Sequence, residues 1–261
     1  MRRAVPTSAL AAGLAGLLIL VGCAAGPKDQ TPAGQPPPSK AASANDDRSA
    51  AQAALLLDEA TRTLREMRKN TPDRILDAAI AESRALIILP GIYQAGFLYS
   101  VHAGNGVLIA RRTDGGWGAP VFVDVVGAGY GLQAGLEKSR LVLAVQEEEM
   151  VERILAGSFD FDTAAKYDVL GVREETGRGS LTTHRPVLAF GDGVGMMAGV
   201  ALRGGGLFLN REMTRGYYGA DAGSLEEILR SANAPGIEVF RLWGRLGVAP
   251  VGPAIVRAGK P

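Results

Sequence analysis

One cysteine, Cys23, stands in 261 residues, so the chain can form no intramolecular disulfide and no cysteine-based metal cluster. Histidine is nearly as scarce. Neither His102 nor His184 lies in an HExxH arrangement, and there is no GxSxG elbow and no GxxxxGK[ST] phosphate loop. An excess of either charge is also missing: 28 basic residues face 27 acidic ones. General nucleic-acid binding needs a basic footprint, so no nucleic-acid partner is expected. Without a nucleophile–base pair or a ligand set, no enzyme activity, cofactor or metal is expected either. Aromatic residues make up only 6% of the chain, so each cluster of them calls for an explanation.

What is present begins with Met1-Arg2-Arg3 and an apolar, uncharged run from Ala9 to Val21. The run falls short of the roughly 20 apolar residues that span a bilayer and has the flanks of a signal-peptide core. It ends Leu20-Val21-Gly22-Cys23, which resembles the bacterial lipobox, in which the cysteine is acylated and becomes the first mature residue. Residues 1–22 are therefore expected to be a signal peptide, and Cys23 a lipid anchor on the periplasmic side. Ala24, which is not Asp, favours the outer over the inner membrane by resemblance to bacterial sorting. Without Arg2 and Arg3, 26 basic residues face 27 acidic ones, a net of −1. From Ala24 to Arg48 there is no Val, Ile, Leu, Met or aromatic residue, while Pro27, Pro32 and Pro36–Pro38 recur. Such a segment buries too little apolar surface to offset its ordering entropy, and it reads as a disordered tether with a reach of about 25–30 Å.

Helical spacing follows over 49–84. Ala53, Leu56, Leu57, Ala60, Leu64 and Met67 recur three and four apart, with Arg62, Arg65, Arg68 and Lys69 between them. Thr71-Pro72 fits the start of a second helix carrying Ile75, Leu76, Ala79 and Ile80. Both stripes fit core packing. The alternative is an interfacial helix whose Arg62, Arg65, Arg68 and Lys69 face lipid phosphates.

From Ala85 to Gly219 short β-rich runs alternate with glycine. Strands are expected at 85–89, 96–102, 107–112, 120–126, 141–146, 187–190, 197–202 and 207–210. Glycine is about twice its average share of ~7%, and 24 of the 35 glycines lie between Gly91 and Gly219. Gly104-Asn105-Gly106 and Gly204–Gly206 both read as turns of β-hairpins, in places that resemble each other. Short helices are expected at 147–156, with Glu147–Glu149 at its start, and at 225–232, capped by Ser224. The fold class is α+β: a glycine-rich, mostly antiparallel curled sheet with N-terminal and flanking helices. The expected domains are 49–232 and a C-terminal extension, 233–261, in which Val239, Leu242, Trp243 and Leu246 share a helical face with Arg241 and Arg245 elsewhere. Gly244, Gly247 and Pro250 confine that helix to a couple of turns, and it either docks on the domain or touches the membrane.

Several local features invite chemistry. Gly127, Gly129 and Gly131 with Ala134 match a dinucleotide fingerprint, but too few residues follow for a parallel crossover. His102 reads as a solvated turn residue and His184 as part of a polar loop. Asp160-Phe161-Asp162 reads as a solvated loop and not as a cation site. Trp117 plugs a sheet end or contacts lipid, since indole suits the boundary between wet and apolar. Tyr217-Tyr218 is open in the same way.

In order along the chain stand Leu86-Ile-Ile-Leu-Pro90, Gly96-Phe97, Gly104-Asn-Gly-Val-Leu108, Gly116-Trp-Gly-Ala-Pro120, Gly131-Leu-Gln-Ala-Gly135, Gly195-Met-Met-Ala-Gly199 and Tyr217-Tyr-Gly219. Over about Leu55–Leu229 this series resembles the SYLF domain family. Eukaryotic members bind phosphoinositides and, in yeast, actin filaments. Gly118 departs from the serine usual in the Trp-Ser-Ala-Pro element, and the glycine-proline stretch after the mid-domain helix is hard to find near 164–171. The resemblance implies a lipid-binding module whose partner is membrane phospholipid, and the residues whose pattern would serve it are Arg62, Arg65, Arg68 and Lys69 on the helix and Trp117. No actin partner is expected of an exported chain. The alternative is an envelope interaction module with a protein partner, in which lipid is only the anchor.

Overall fold

The computed structural model describes residues 40–71, 74–96, 99–130, 135–157, 159–160, 170–172, 186–191 and 205–247. The expected signal peptide, Cys23, the expected tether up to residue 39, the strand expected at 197–202, His184 and everything beyond residue 247 lie outside the described residues.

Strand β1, Ala85–Gly96, organises the rest. Its first five residues, Ala85 to Leu89, are all fully buried. A strand points successive side chains to opposite faces, so five buried in a row require both faces of the sheet to be covered. Ala85, Ile87 and Leu89 enter one hydrophobic cluster and Leu86 and Ile88 the other. Around β1 lie β2 (Tyr99–Ala110), β3 (Val121–Tyr130) and β4 (Gly135–Val145). The sheet continues with β5 (Phe159–Asp160), β6 (Leu170–Val172), β7 (Val187–Gly191) and β8 (Gly205–Leu209). The order β5-β8-β3-β2-β1-β4-β7-β6 contains β4-β1-β2-β3, a Greek key. All pairs are antiparallel except β6 with β7 at one edge, and the sheet curls into a half-barrel. The α+β class read from the sequence is the class observed.

Helix α1, Lys40–Asn70, and α2, Ile75–Glu82, cover one face together with α4, Arg211–Tyr218, and α6, Ile237–Leu246. The other face holds α3, Glu148–Leu155, and α5, Leu225–Arg230. The six apolar residues expected on α1 are its buried face. Ser224 caps α5 in a reciprocal capping box with Glu227, which answers two orphan helix donors.

The structure corrects five readings. Helix α1 begins at Lys40, so 40–48 are helix and not tether. Its alanine-rich start favours helix, and Ser49 packs where a Cβ on Gly216 of α4 would sit, 2.5 Å from the Ser49 Cβ. Thr71 ends α1 by donating to the Met67 carbonyl at 2.7 Å instead of opening α2. Asp160 pairs in β5. Gly104–Gly106 is not a turn: β2 runs straight through it, beside a register shift in β1 between Ile88 and Gly91. A Cβ on Gly104 would lie 2.5 Å from the Gly91 oxygen, and one on Gly106 2.5 Å from the Ile88 oxygen, so these glycines serve close backbone approach at an irregularity. Gly205 and Gly206 likewise lie within β8, opposite Gly127 and Val126.

The fifth correction is His102. It is not a solvated turn residue but is buried mid-strand, its ring over Gly127 and Gly205 on neighbouring strands. Gly127 and Gly129 lie inside β3 and not at a helix start, so the match to a dinucleotide fingerprint has the wrong geometry.

Candidate functional site: an arginine-lined groove between the first and last helices

Helix α6 docks because Val239, Leu242, Trp243 and Leu246 recur at i, i+3, i+4 and i+7 and are all buried. Burial of four such side chains contributes about 6–12 kcal/mol as an upper figure. That outweighs the roughly 1 kcal/mol that Gly244 costs a helix interior, which is why the helix persists for ten residues. Gly247, at φ 87°, closes it in the left-handed conformation. The Trp243 indole donates to the Gly118 carbonyl at 2.8 Å, and Tyr217 of α4 donates to Glu238 at 2.6 Å. Burial, then Glu238, pushes the Tyr217 hydroxyl far above its ordinary pKa, so it stays a donor.

Docking lays α6 beside α1. Between them runs a groove of about 470 Å³ lined by Asp58, Thr61, Arg62, Arg65, Arg241, Gly244 and Arg245. Asp58 accepts from Arg241 at 3.1 and 3.4 Å. Arg62, Arg65 and Arg245 form no side-chain ion pair among the described residues, and Arg62 and Arg65 are exposed. At one end Arg68 pairs with Asp77 of α2 at 2.7 Å and also donates to the Arg245 carbonyl, fastening α1, α2 and α6 together.

The site residues inferred from sequence are thereby sorted. Arg62 and Arg65 line the groove. Arg68 is half-buried and structural. Lys69 is exposed at the α1 terminus, outside the lining. Trp117 does not face lipid: it is 2% exposed, and the Arg111 guanidinium lies 4.0 Å from its ring centroid. Arg111 is itself held by the Ile80 and Ser83 carbonyls at the end of α2, so this pair is a core joint. Tyr218 donates to the Pro120 carbonyl at 2.7 Å and is structural as well. Sequence reasoning missed Arg241, Gly244 and Arg245 as site residues. Their signal was the placement of both arginines off the apolar face of α6, but nothing local said which helix that face would meet.

Asp58, Glu59 and Glu66 share the 58–69 stretch of α1 with Arg62, Arg65, Arg68 and Lys69. The structure engages Asp58 with Arg241 and Glu66 with Arg140. Over residues 58–69 and α6, what remains exposed and unpaired is Arg62, Arg65, Lys69 and Arg245 against Glu59, a local excess of three positive charges, while at the start of α1 exposed Asp46 and Asp47 stand against Arg48. No helix among the described residues is long and apolar enough to cross a membrane.

Residues 126–247 match a family model described as Ysc84, Las17-binding protein actin regulator. The chain is 32% identical to SH3 domain-containing YSC84-like protein 1 of Bos taurus over 157 residues, 59% of this chain and 46% of that protein. The Homo sapiens protein of the same name gives 32% over 157 residues, 45% of its length. Protein YSC84 of Saccharomyces cerevisiae is 29% identical over 155 residues, 56% of this chain and 32% of that protein. The chain thus spans a little under half the length of the vertebrate relatives it matches. No solved structure matches it. The family match and the SYLF-like motif series point to the same kind of domain, and the match runs on through α6.

Proposed function

We propose that this chain is an exported lipoprotein, held to a membrane by acylated Cys23, whose folded body engages anionic phospholipid through the exposed face of α1 and α6. The observation that carries this reading is the excess of three unpaired positive charges along residues 58–69 and α6 on that face. Leu55 and Ile237, 66% and 62% exposed, add apolar contact. Each lies about one turn before the Asp58–Arg241 pair on its own helix, so they flank the same end of the groove. Basic residues at an anionic surface contribute about 1 kcal/mol each, so three give about 3 kcal/mol, which salt screens. That is weak on its own and effective once an anchor raises the local concentration. Actin regulation, which the description of the matched family names, is not carried over, because an exported chain does not meet the actin of its own cell.

The test is co-sedimentation of residues 38–261, a unit that contains both hydrophobic clusters, with anionic vesicles at low and high salt. Wild type is expected to pellet at low salt only, and Arg62→Glu/Arg65→Glu to stay in the supernatant. Wild type remaining in the supernatant with every anionic lipid refutes the membrane reading.

One observation favours a second reading, an envelope interaction module. Tyr93, Val101, Val126 and Phe208 share one sheet face beyond the helices and are all more than half exposed. Co-purification of a single protein that is lost on Val126→Asp would replace the first reading by this one.

A further inference from the structure

We infer that the α1–α6 groove is a discrete site for a phosphomonoester group, with Gly244 as the residue that keeps it open. This rests on the membrane reading for its lipid source, but it makes a stronger claim than attraction to a charged surface. Guanidinium forks come from two walls: Arg62 and Arg65, three apart on α1, and Arg241 and Arg245, four apart on α6. The one carboxylate in the lining, Asp58, is engaged by Arg241. Arg68 ties the two helices together at one end, so the walls are set before a ligand arrives.

Gly244 supplies the second observation. Two glycines lie inside helices of this face, and packing explains only one. A Cβ on Gly216 would sit 2.5 Å from that of Ser49, whereas a Cβ on Gly244 would meet nothing within 4 Å. Alanine would therefore fit at 244 and favour the helix. The space that glycine leaves there belongs to the groove.

The chemistry of the lining selects the ligand. Guanidinium matches phosphate and carboxylate oxygens in bidentate fashion. A phosphomonoester carries close to two charges at neutral pH and presents three terminal oxygens, enough for forks from both walls. A phosphodiester presents two free oxygens and one charge, and a carboxylate likewise reaches one wall at a time. A lipid headgroup ending in a phosphomonoester and a free phosphorylated solute share this chemistry.

The experiment uses the full chain and phosphatidylcholine vesicles carrying either phosphatidic acid or phosphatidylglycerol, matched in zeta potential. Neutral vesicles set the baseline that any apolar segment contributes. Wild type is expected to bind phosphatidic acid vesicles about tenfold more tightly than phosphatidylglycerol ones, which corresponds to about 1.4 kcal/mol. Glycerol phosphate should compete for the former, and it should raise the melting temperature above that of a chloride control at equal ionic strength. Gly244→Gln fills the groove without removing a charge. It should abolish the phosphatidic acid preference and the thermal shift, and it should melt no lower than wild type. Arg241→Gln/Arg245→Gln should lose the preference as well. If both lipids bind alike at matched potential, or Gly244→Gln keeps the preference, the discrete site is wrong while charge-driven membrane binding stands. If glycerol phosphate shifts the melt, Gly244→Gln abolishes that shift, and no vesicle recruits the chain above baseline, the groove takes a soluble phosphomonoester and the membrane reading falls instead.

Discussion

His102 and the two glycines beneath it allow a test of the sheet at the level of single atoms. His102 pairs with Gly127 across β2–β3, and Gly127 with Gly205 across β3–β8, so the three form one row on one face. A Cβ on Gly205 would lie 2.5 Å from His102 Nε2, with the next nearest group, the Val126 oxygen, at 3.2 Å. Gly205→Ala therefore overpacks against the imidazole and costs about 1–3 kcal/mol. His102→Ala removes a buried ring and costs about 2–3 kcal/mol through the cavity it leaves. With the ring gone, a methyl group at position 205 has room, and an alanine in a strand then gains about 0.5–1 kcal/mol over glycine. The double variant should accordingly be more stable than the two single losses predict, by a coupling of about 1.5–4 kcal/mol. Gly127→Ala is the control. Its Cβ would also lie 2.5 Å from the Gly205 Cα, so removing the ring should rescue it only in part. Urea unfolding of the variants, followed by the fluorescence of the buried Trp117 and Trp243, yields the coupling if the transitions are two-state. Additivity within about 0.5 kcal/mol would show that the ring does not lie over Gly205, and the register of β8 would have to change.

Gly118→Ser restores the residue usual in the SYLF-like element, yet here it should destabilise: a Cβ at 118 would lie 1.7 Å from the Leu229 backbone oxygen. Relieving that contact disturbs the hydrogen bonds from Ala119 to Ser231 and from Trp243 to Gly118, at a cost of about 3 kcal/mol or more, a fall in melting temperature of about 6–12 °C. A melt within about 2 °C of wild type would refute that packing. Cys23→Ser should leave the chain unprocessed and without palmitate label, and continued labelling of the variant would remove the anchor from the proposal.

The residues that were legible in the sequence are those whose signal is local. The buried stripe of α1 declared itself by spacing, as did the uninterrupted apolar block of β1, the Ser224 cap and the apolar face of α6. Glycine misled because one residue type serves two purposes. Gly104 and Gly106 read as a turn, but they lie against the Gly91 and Ile88 carbonyls of the neighbouring strand, where the backbone comes too close for any side chain. Only the register reveals that. His102 was misplaced for the same reason, since a strand running through those glycines carries it into the interior instead of to a turn. Half of the groove was legible as Arg62 and Arg65. The other half sits about 180 residues further on, at Arg241 and Arg245, and the contact between the helices is made by Asp58, Arg68 and the sheet face they share.

The end of α6, which lies in this groove, sets a limit on how it can bind anions. Arg68 and Lys69 lie in the last turn of α1, and Arg245 in the last turn of α6. A helix C-terminus carries about half a negative charge, which stabilises those cations and opposes an incoming anion. The groove is thus unlike a phosphate site at a helix N-terminus, where backbone amides and dipole both attract. The α6 end offsets about half of one of the three unpaired positive charges. What attraction remains has to come through guanidinium hydrogen bonds, whose geometry the Arg68 tie and the open floor at Gly244 maintain. Binding by charge alone would be shallow and lost in salt, whereas binding by oriented forks would survive moderate salt and fail when the floor is filled. That contrast makes a neutral substitution at Gly244 more informative about this surface than the removal of any single arginine.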